Sequence, residues 1–230
     1  MRRGRSKNKS GENVSSINQL QWNQPYNFDQ FVEPLSEEQI FAIDDAAMRV
    51  LEEIGVEFLN EESKNYLKKA GCIVSSNSNN VRMSREWVKE MISFAPNEFK
   101  IFPRNEKKFV KIGGRNIAFV NVSSPPNVLD LDRGRRVGDK SSFRDFIKLT
   151  QYFNCIHLAG GYPVEPVDIH ASIRHLECLY DKLVLTDKVC HAYSLGKERV
   201  EDCLEMARIA SGLSEQDFFS KPRIYTNINS

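Results

Sequence analysis

Four histidines (His157, His170, His175 and His191) and five cysteines (Cys72, Cys155, Cys178, Cys190 and Cys203) are the side chains of this 230-residue sequence best suited to metal binding or nucleophilic attack. Their spacing favours neither. Zinc and iron sites commonly use His-x-His or His-x-x-x-His on one element, whereas His170 and His175 stand five apart and do not share a helical face. His191 stands alone, and a lone histidine is more often a hydrogen-bonded structural residue, so no metal is expected. The cysteines are odd in number, without a Cys-x-x-Cys pair or a readable catalytic partner, which suits reduced thiols in the cytoplasm. Gly-x-Gly-x-x-Gly, the P-loop and Gly-x-Ser-x-Gly are all missing from the sequence. The residues left for chemistry are Gly160, Gly161, Tyr162, His191 and Tyr193. Gly160 and Gly161 lack a Cβ, so backbone there can approach a ligand or simply make a tight turn.

The stretch that must position them runs from Asn154 to Leu195. An apolar run ending in small and polar residues, an amphipathic segment of period 3.6 and a second apolar run predict a βαβ unit. Parallel strands joined by right-handed crossovers place ligand sites beyond the strands' carboxyl ends. That brings the five residues to one rim. Around this unit the spacing predicts helix 142–153, strand 156–159, helix 172–182, strands 183–185 and 189–193, helix 197–211 and strand 224–228, a parallel α/β architecture. The strands are too few to close an eight-stranded barrel of ~250 residues, so the chain reads as truncated.

Residues 31–135 read as an α+β extension leading into the portion at 136–230. Ser36-Glu-Glu-Gln39 is a capping box, opening a helix with Ile40, Ile43, Ala47, Val50, Leu51 and Ile54 on one face and Gly55 at its end. A strand at 56–58, a helix at 61–69 stopping at Gly71, a strand at 81–83 and a helix capped by Ser84 follow. Beyond Phe99 the period moves toward two, with a hairpin expected for 108–112 and 116–120 about Gly113-Gly114, and another about Asp132-Arg-Gly134. Residues 1–30 read as a flexible basic leader with Arg2, Arg3, Arg5, Lys7 and Lys9, better taken as a solvated tail than as an RNA contact. A net charge of +1 gives no global pull toward nucleic acid, and no run approaches the roughly 18 apolar residues of a membrane span.

Several ordered motifs resemble the trimethylamine methyltransferase family of corrinoid-dependent enzymes. They are Leu35-Ser-Glu-Glu-Gln-Ile40, Val50-Leu-Glu-Glu-Ile-Gly-Val56, Pro125-Pro-Asn-Val-Leu-Asp-Leu-Asp132, Gly134-Arg-Arg136, Gly160-Gly-Tyr-Pro-Val-Glu-Pro166, Arg174-His-Leu176, Leu195-Gly-Lys-Glu-Arg199 and Leu204-Glu-Met-Ala-Arg-Ile-Ala210. Where the family pattern has Gly-Gly before Pro125-Pro126, this chain has Ser123-Ser124. The resemblance runs from about Glu33 onward and implies the first part of a TIM-type barrel behind the extension. It implies transfer of a methyl group from trimethylamine or a quaternary amine such as a betaine to the cobalt of a corrinoid held by a separate protein. The corrinoid is then the partner's, with no cofactor bound directly, and a homo-oligomer is compatible with such an enzyme.

For that chemistry the protein must orient the amine, exclude water and stabilise positive charge. Aromatic faces suit a methylated ammonium, at roughly 0.5 to 2 kcal/mol each. Tyr162, Tyr193, Phe119 and Tyr225 stand at or near predicted strand ends, where they serve either as such faces or as rim packing. Glu165 is placed to pair with a cationic amine or to sit in an ordinary loop. Asn227 and Asn229 are placed to hydrogen-bond a substrate carboxylate or corrinoid amides, or to cap a strand. The competing reading is a truncated relative that only binds a partner or a quaternary ammonium compound; even as an enzyme, this length by itself is expected to be inactive.

Overall fold

In the computed structural model, residues 19–228 are described. Of the stretch 1–30 read as a flexible basic leader, residues 1–18 lie outside them, as does Asn229. The described chain divides into two compact units, one of residues 27–99 and 113–115, the other of residues 19–26, 100–112 and 116–228. The change of unit falls near Phe99.

In the smaller unit the expected capping box forms: the Gln39 amide N–H donates to Ser36 Oγ at 3.3 Å and the Ser36 N–H to Gln39 Oε1 at 2.9 Å. It opens helix α1 (Glu37–Arg49), which widens into one π-type turn over Val50–Ile54 and stops at Gly55. Gly55 has φ +85°, and a Cβ there would lie 2.6 Å from the Val81 carbonyl oxygen, so only glycine fits. Strand β1 (Val56–Glu57), helix α2 (Glu61–Lys69), strands β2 (Ile73–Val74) and β3 (Asn80–Arg82) and helix α3 (Arg85–Ser93) follow. The sheet is antiparallel in the order β1-β3-β2, with Val56 opposite Val81 and Ile73 opposite Arg82. The sequence missed β2. On α1 the expected face is not covered: Ile40, Ile43, Val50 and Ile54 are exposed, and Met48 is the buried residue. Periodicity reports a stripe on the helix, not what lies against it.

The chain passes through β4 (Glu98–Ile101) and β5 (Val110–Gly113) where the units divide. Gly113 and Gly114 take the left-handed turn, at φ +99° and +56°. The expected partner strand at 116–120 does not form a hairpin; Asn116 bridges Tyr26 and Val120 bridges Leu158. Turn chemistry set the turn and left the pairing to longer-range partners. The second hairpin does form, β6 (Asn127–Asp130) against β7 (Gly134–Val137). Its turn is held by Asp130 Oδ1, which accepts from the N–H groups of Asp132 and Arg133.

Helix α4 (Lys140–Tyr152) begins at Asp139, whose Oδ1 accepts from the Ser142 N–H at 2.7 Å. Phe143, Ile147 and Thr150 lie buried on its inner face as the period required. Strand β8 (Leu158–Ala159), helix α5 (Arg174–Leu185) and strand β9 (Val189–Cys190) form the βαβ unit, with β8 and β9 parallel. Residues 183–185, read as a strand, are the last turn of α5; an apolar run of three fits either conformation, and the helix carries it to Thr186. Helix α6 (Lys197–Ser211) ends at Gly212, and a short α7 (Glu215–Phe219), not expected, is capped by Ser214. The last strand, read over 224–228, contracts to one parallel bridge between Tyr225 and His191.

Val120, β8, β9 and Tyr225 therefore lie side by side in chain order and parallel, with helices α4, α5 and α6 in the intervals between them. This is the mixed α/β class that the alternation predicted. Phe143, Ile147, Ala159, Cys178, Leu179, Cys190, Ala192 and Cys203 make the core between helices and strands. Among the described residues no helix is long and apolar enough to cross a membrane.

Candidate functional site

Because the four segments are parallel, their carboxyl ends meet at one edge of the larger unit. There the loop after Val120 is fastened to the turn after β8. The Gly160 N–H donates to Asn121 Oδ1 at 2.8 Å and the Gly161 N–H to Ser123 Oγ at 2.9 Å. The Ser124 N–H reaches the Tyr162 carbonyl at 2.6 Å and the Glu165 N–H the Pro125 carbonyl at 3.0 Å. A Cβ on Gly160 would stand 2.8 Å from the Asn121 carbonyl oxygen and 3.0 Å from Ser123 Oγ. The close approach that the glycines permit is thus made by the chain's own loop. Ser124, at φ +68°, is the one non-glycine residue with positive φ among those described. Such strain, of order 1–3 kcal/mol, persists where the surroundings over-determine the backbone, and here the two flanking hydrogen bonds do so.

This fastening holds Tyr162. Its half-buried ring stacks on Tyr193 with centroids 4.5 Å apart and 19° between planes. Tyr193 is buried, and its hydroxyl donates to the Gly161 carbonyl at 3.5 Å. His191 meets Tyr193 and Tyr225 edge to face, at 5.9 and 5.1 Å. Burial, helped by the nearby charge of Lys182, pushes the His191 pKa down to about 4, so the ring is neutral at pH 7; its Nδ1 is buried without a hydrogen-bond partner among the described residues. Burial likewise raises the phenols of Tyr162, Tyr193 and Tyr225, which stay protonated. The rim therefore offers uncharged aromatic surface.

The structure brings Gly160, Gly161, Tyr162, His191 and Tyr193 together, with Tyr225 beside them. Glu165 is engaged in an ion pair with Arg174, whose remaining nitrogens donate to the Ile169 carbonyl. Asn227 has an exposed side chain, and its backbone carbonyl accepts from Ser194 Oγ at 3.2 Å. Phe119 stacks on His157 at 6.0 Å, and its N–H donates to that ring's Nδ1. The other histidines are also engaged locally, His170 with Ser172 and His175 with Asp202. Among the described residues no three His, Cys, Asp or Glu side chains converge as metal ligands.

Sequence reasoning missed Lys182. It is fully buried, its ammonium 4.5 Å from the centroid of the Tyr193 ring and 3.4 Å from the His191 carbonyl oxygen. Burial pushes its pKa down to about 8. The available signal was a lysine on the inner stripe of α5, one turn after Cys178 and Leu179, where a charge is costly unless it serves a purpose. Asn121 and Ser123 were missed for a different reason: their partners are backbone groups 39 and 38 residues away.

Comparison with known proteins bears on what this rim does. The model of the family described as trimethylamine methyltransferase matches residues 1–230. A glycine betaine methyltransferase of Desulfitobacterium hafniense (strain Y51) is 36% identical over 196 residues, covering 85% of this chain and 40% of that protein. A trimethylamine methyltransferase, MttB, of Desulfitobacterium hafniense (strain DSM 10664 / DCB-2) is 24% identical over 194 residues, covering 80% of this chain and 38% of that protein. The chain thus spans about two fifths of the length of these relatives. With motifs, parallel α/β order and the family match in agreement, the chain belongs to the trimethylamine methyltransferase family.

Proposed function

We propose that this protein belongs to an enzyme that takes a methyl group from a methylated amine, a betaine-type quaternary amine in preference to trimethylamine, and delivers it to the cobalt of a corrinoid carried by a separate protein in the cytoplasm. The carrying observation is the half-buried Tyr162 ring, backed by Tyr193, which neutral His191 meets edge to face, at the rim of a chain 36% identical to a glycine betaine methyltransferase. Val120, β8, β9 and Tyr225 are, in this reading, the first strands of a TIM-type barrel.

Reduced cobalt, when the partner presents it, is the nucleophile that takes the methyl group. The rim suits an amide-fringed corrinoid, with Asn227 exposed and with the carboxylate of Glu165 already paired. This chain's own task is to seat the ammonium against Tyr162, turn one N-methyl outward and keep water from the cation. No general base is needed, and His191 stays neutral throughout. The test is methyl transfer to cob(I)alamin by the protein purified from its source. Methylcobalamin forming faster from glycine betaine than from trimethylamine supports the proposal; transfer from neither overturns it.

A further inference from the structure

Among the described residues Lys182 has no counter-ion. The groups facing it are Cys178 on its own helix α5, Cys190 and His191 on and just after β9, Tyr193 beyond them, and Cys203 on α6. The nearby carboxylates are engaged elsewhere: Asp181 with Arg144 of α4 at 2.7 Å, Asp202 with His175 at 2.9 Å, and Glu165 with Arg174. One carbonyl oxygen at 3.4 Å and one ring face at 4.5 Å are what its ammonium has. Cys178 and Cys190 are pushed up to about 12 and about 11, so no thiolate compensates the charge at neutral pH. An uncompensated cation therefore sits behind the aromatic pair.

We propose that Lys182 is a specificity-determining residue of the rim: its charge, behind the stacked Tyr193 and Tyr162, disfavours a simple cation and favours a zwitterionic quaternary amine whose own carboxylate offsets it. This rests on the reading that the rim holds a methylated ammonium. The spacings bound the effect. An ammonium within about 6 Å of the Tyr162 ring lies no more than about 15 Å from the Lys182 nitrogen, and at an effective dielectric of about 20 the repulsion weakens its binding roughly sevenfold. For a betaine the carboxylate cancels most of that penalty. The lowered pKa of Lys182 places the loss of its charge between pH 7 and 9, where His191 is already neutral and the neighbouring thiols and phenols are still protonated. Lys188, also lowered to about 8, stands just before β9, at the opposite end of that strand from the rim.

The experiment is calorimetric titration of the purified protein with glycine betaine and with tetramethylammonium, at pH 7 and pH 9. Wild type should prefer glycine betaine several-fold at pH 7, and the preference should contract at pH 9. In Lys182→Met, tetramethylammonium should bind several-fold tighter at pH 7 and the ratio should no longer depend on pH, which separates Lys182 from Lys188. The wild-type pH series stands independently if the variant does not fold. A ratio unchanged by both pH and K182M overturns the role of Lys182 and leaves the aromatic site intact. Wild type binding neither ligand overturns both.

Discussion

Replacing Lys188 by methionine should destabilise the larger unit at its helix–strand contact. The Lys188 side chain is 3% exposed, and its ammonium donates to three carbonyl oxygens: those of Thr150, Phe153 at 2.7 Å and Ile156 at 2.7 Å. These carbonyls lie in the last turn of α4 and just beyond it, where a helix leaves acceptors without backbone donors. The charge also faces the negative end of the helix dipole and lies 5.4 Å from the Trp22 ring. The Phe153 carbonyl keeps the Ile156 N–H at 3.1 Å; the Thr150 and Ile156 carbonyls lose their ammonium donor at about 1–3 kcal/mol each, partly offset because the cost of burying a charge disappears, giving a net loss of about 3 kcal/mol. For a chain of this size that lowers the melting temperature by about 6–12 °C. Urea titration and thermal denaturation at pH 7 measure it, with hydrogen exchange locating the loosening at residues 150–156. A K188M variant melting within about 1 °C of wild type would refute the reasoning.

Asp139→Ala removes the cap that Ser142 donates to through N–H and Oγ, at 2.7 and 2.6 Å, and should cost about 1 kcal/mol in a urea titration. Those hydrogen bonds hold the Asp139 pKa below its ordinary value. Its contribution is therefore present above the unfolded pKa and lost as pH falls through the folded one; D139N should keep the cap without that acid dependence. Arg144→Met strands Asp181, which is 1% exposed and whose pKa burial already raises, and should cost about 3 kcal/mol at pH 7. Protonation relieves an unpaired carboxylate, so the deficit should shrink in melts run toward pH 5. Ser123→Ala removes the acceptor for the Gly161 N–H and should raise hydrogen exchange at Gly161 while lowering the global melting temperature by only about 2–4 °C, since one rim hydrogen bond is worth about 1 kcal/mol.

Elements whose ends carry their own chemistry were legible in the sequence. The Ser36–Gln39 box, the Ser84 cap, left-handed Gly55, Gly71 and Gly134, and the span of α6 all follow from local side-chain and backbone preferences. Where a short apolar run suited two conformations, as at Leu183–Leu185, packing decided. Segment 116–120 carries a sound turn before it, yet pairs with Tyr26 and Leu158, which no local signal specifies. The rim was legible because βαβ topology brings strand ends together. Its supports were not: Lys182 and Lys188 are residue types that ordinarily point to water, and Asn121 and Ser123 act on backbone far along the chain.

The proposed seat of the methylated ammonium is the Tyr162 ring. Proton NMR of glycine betaine with the wild-type protein tests it directly, because methyl groups lying over an aromatic face shift upfield and show cross-relaxation with the ring protons. An upfield-shifted, saturable N-methyl signal with contacts to the Tyr162 ring is expected, lost in Tyr162→Ala. An N-methyl signal unshifted and without ring contacts in the wild-type protein would contradict it.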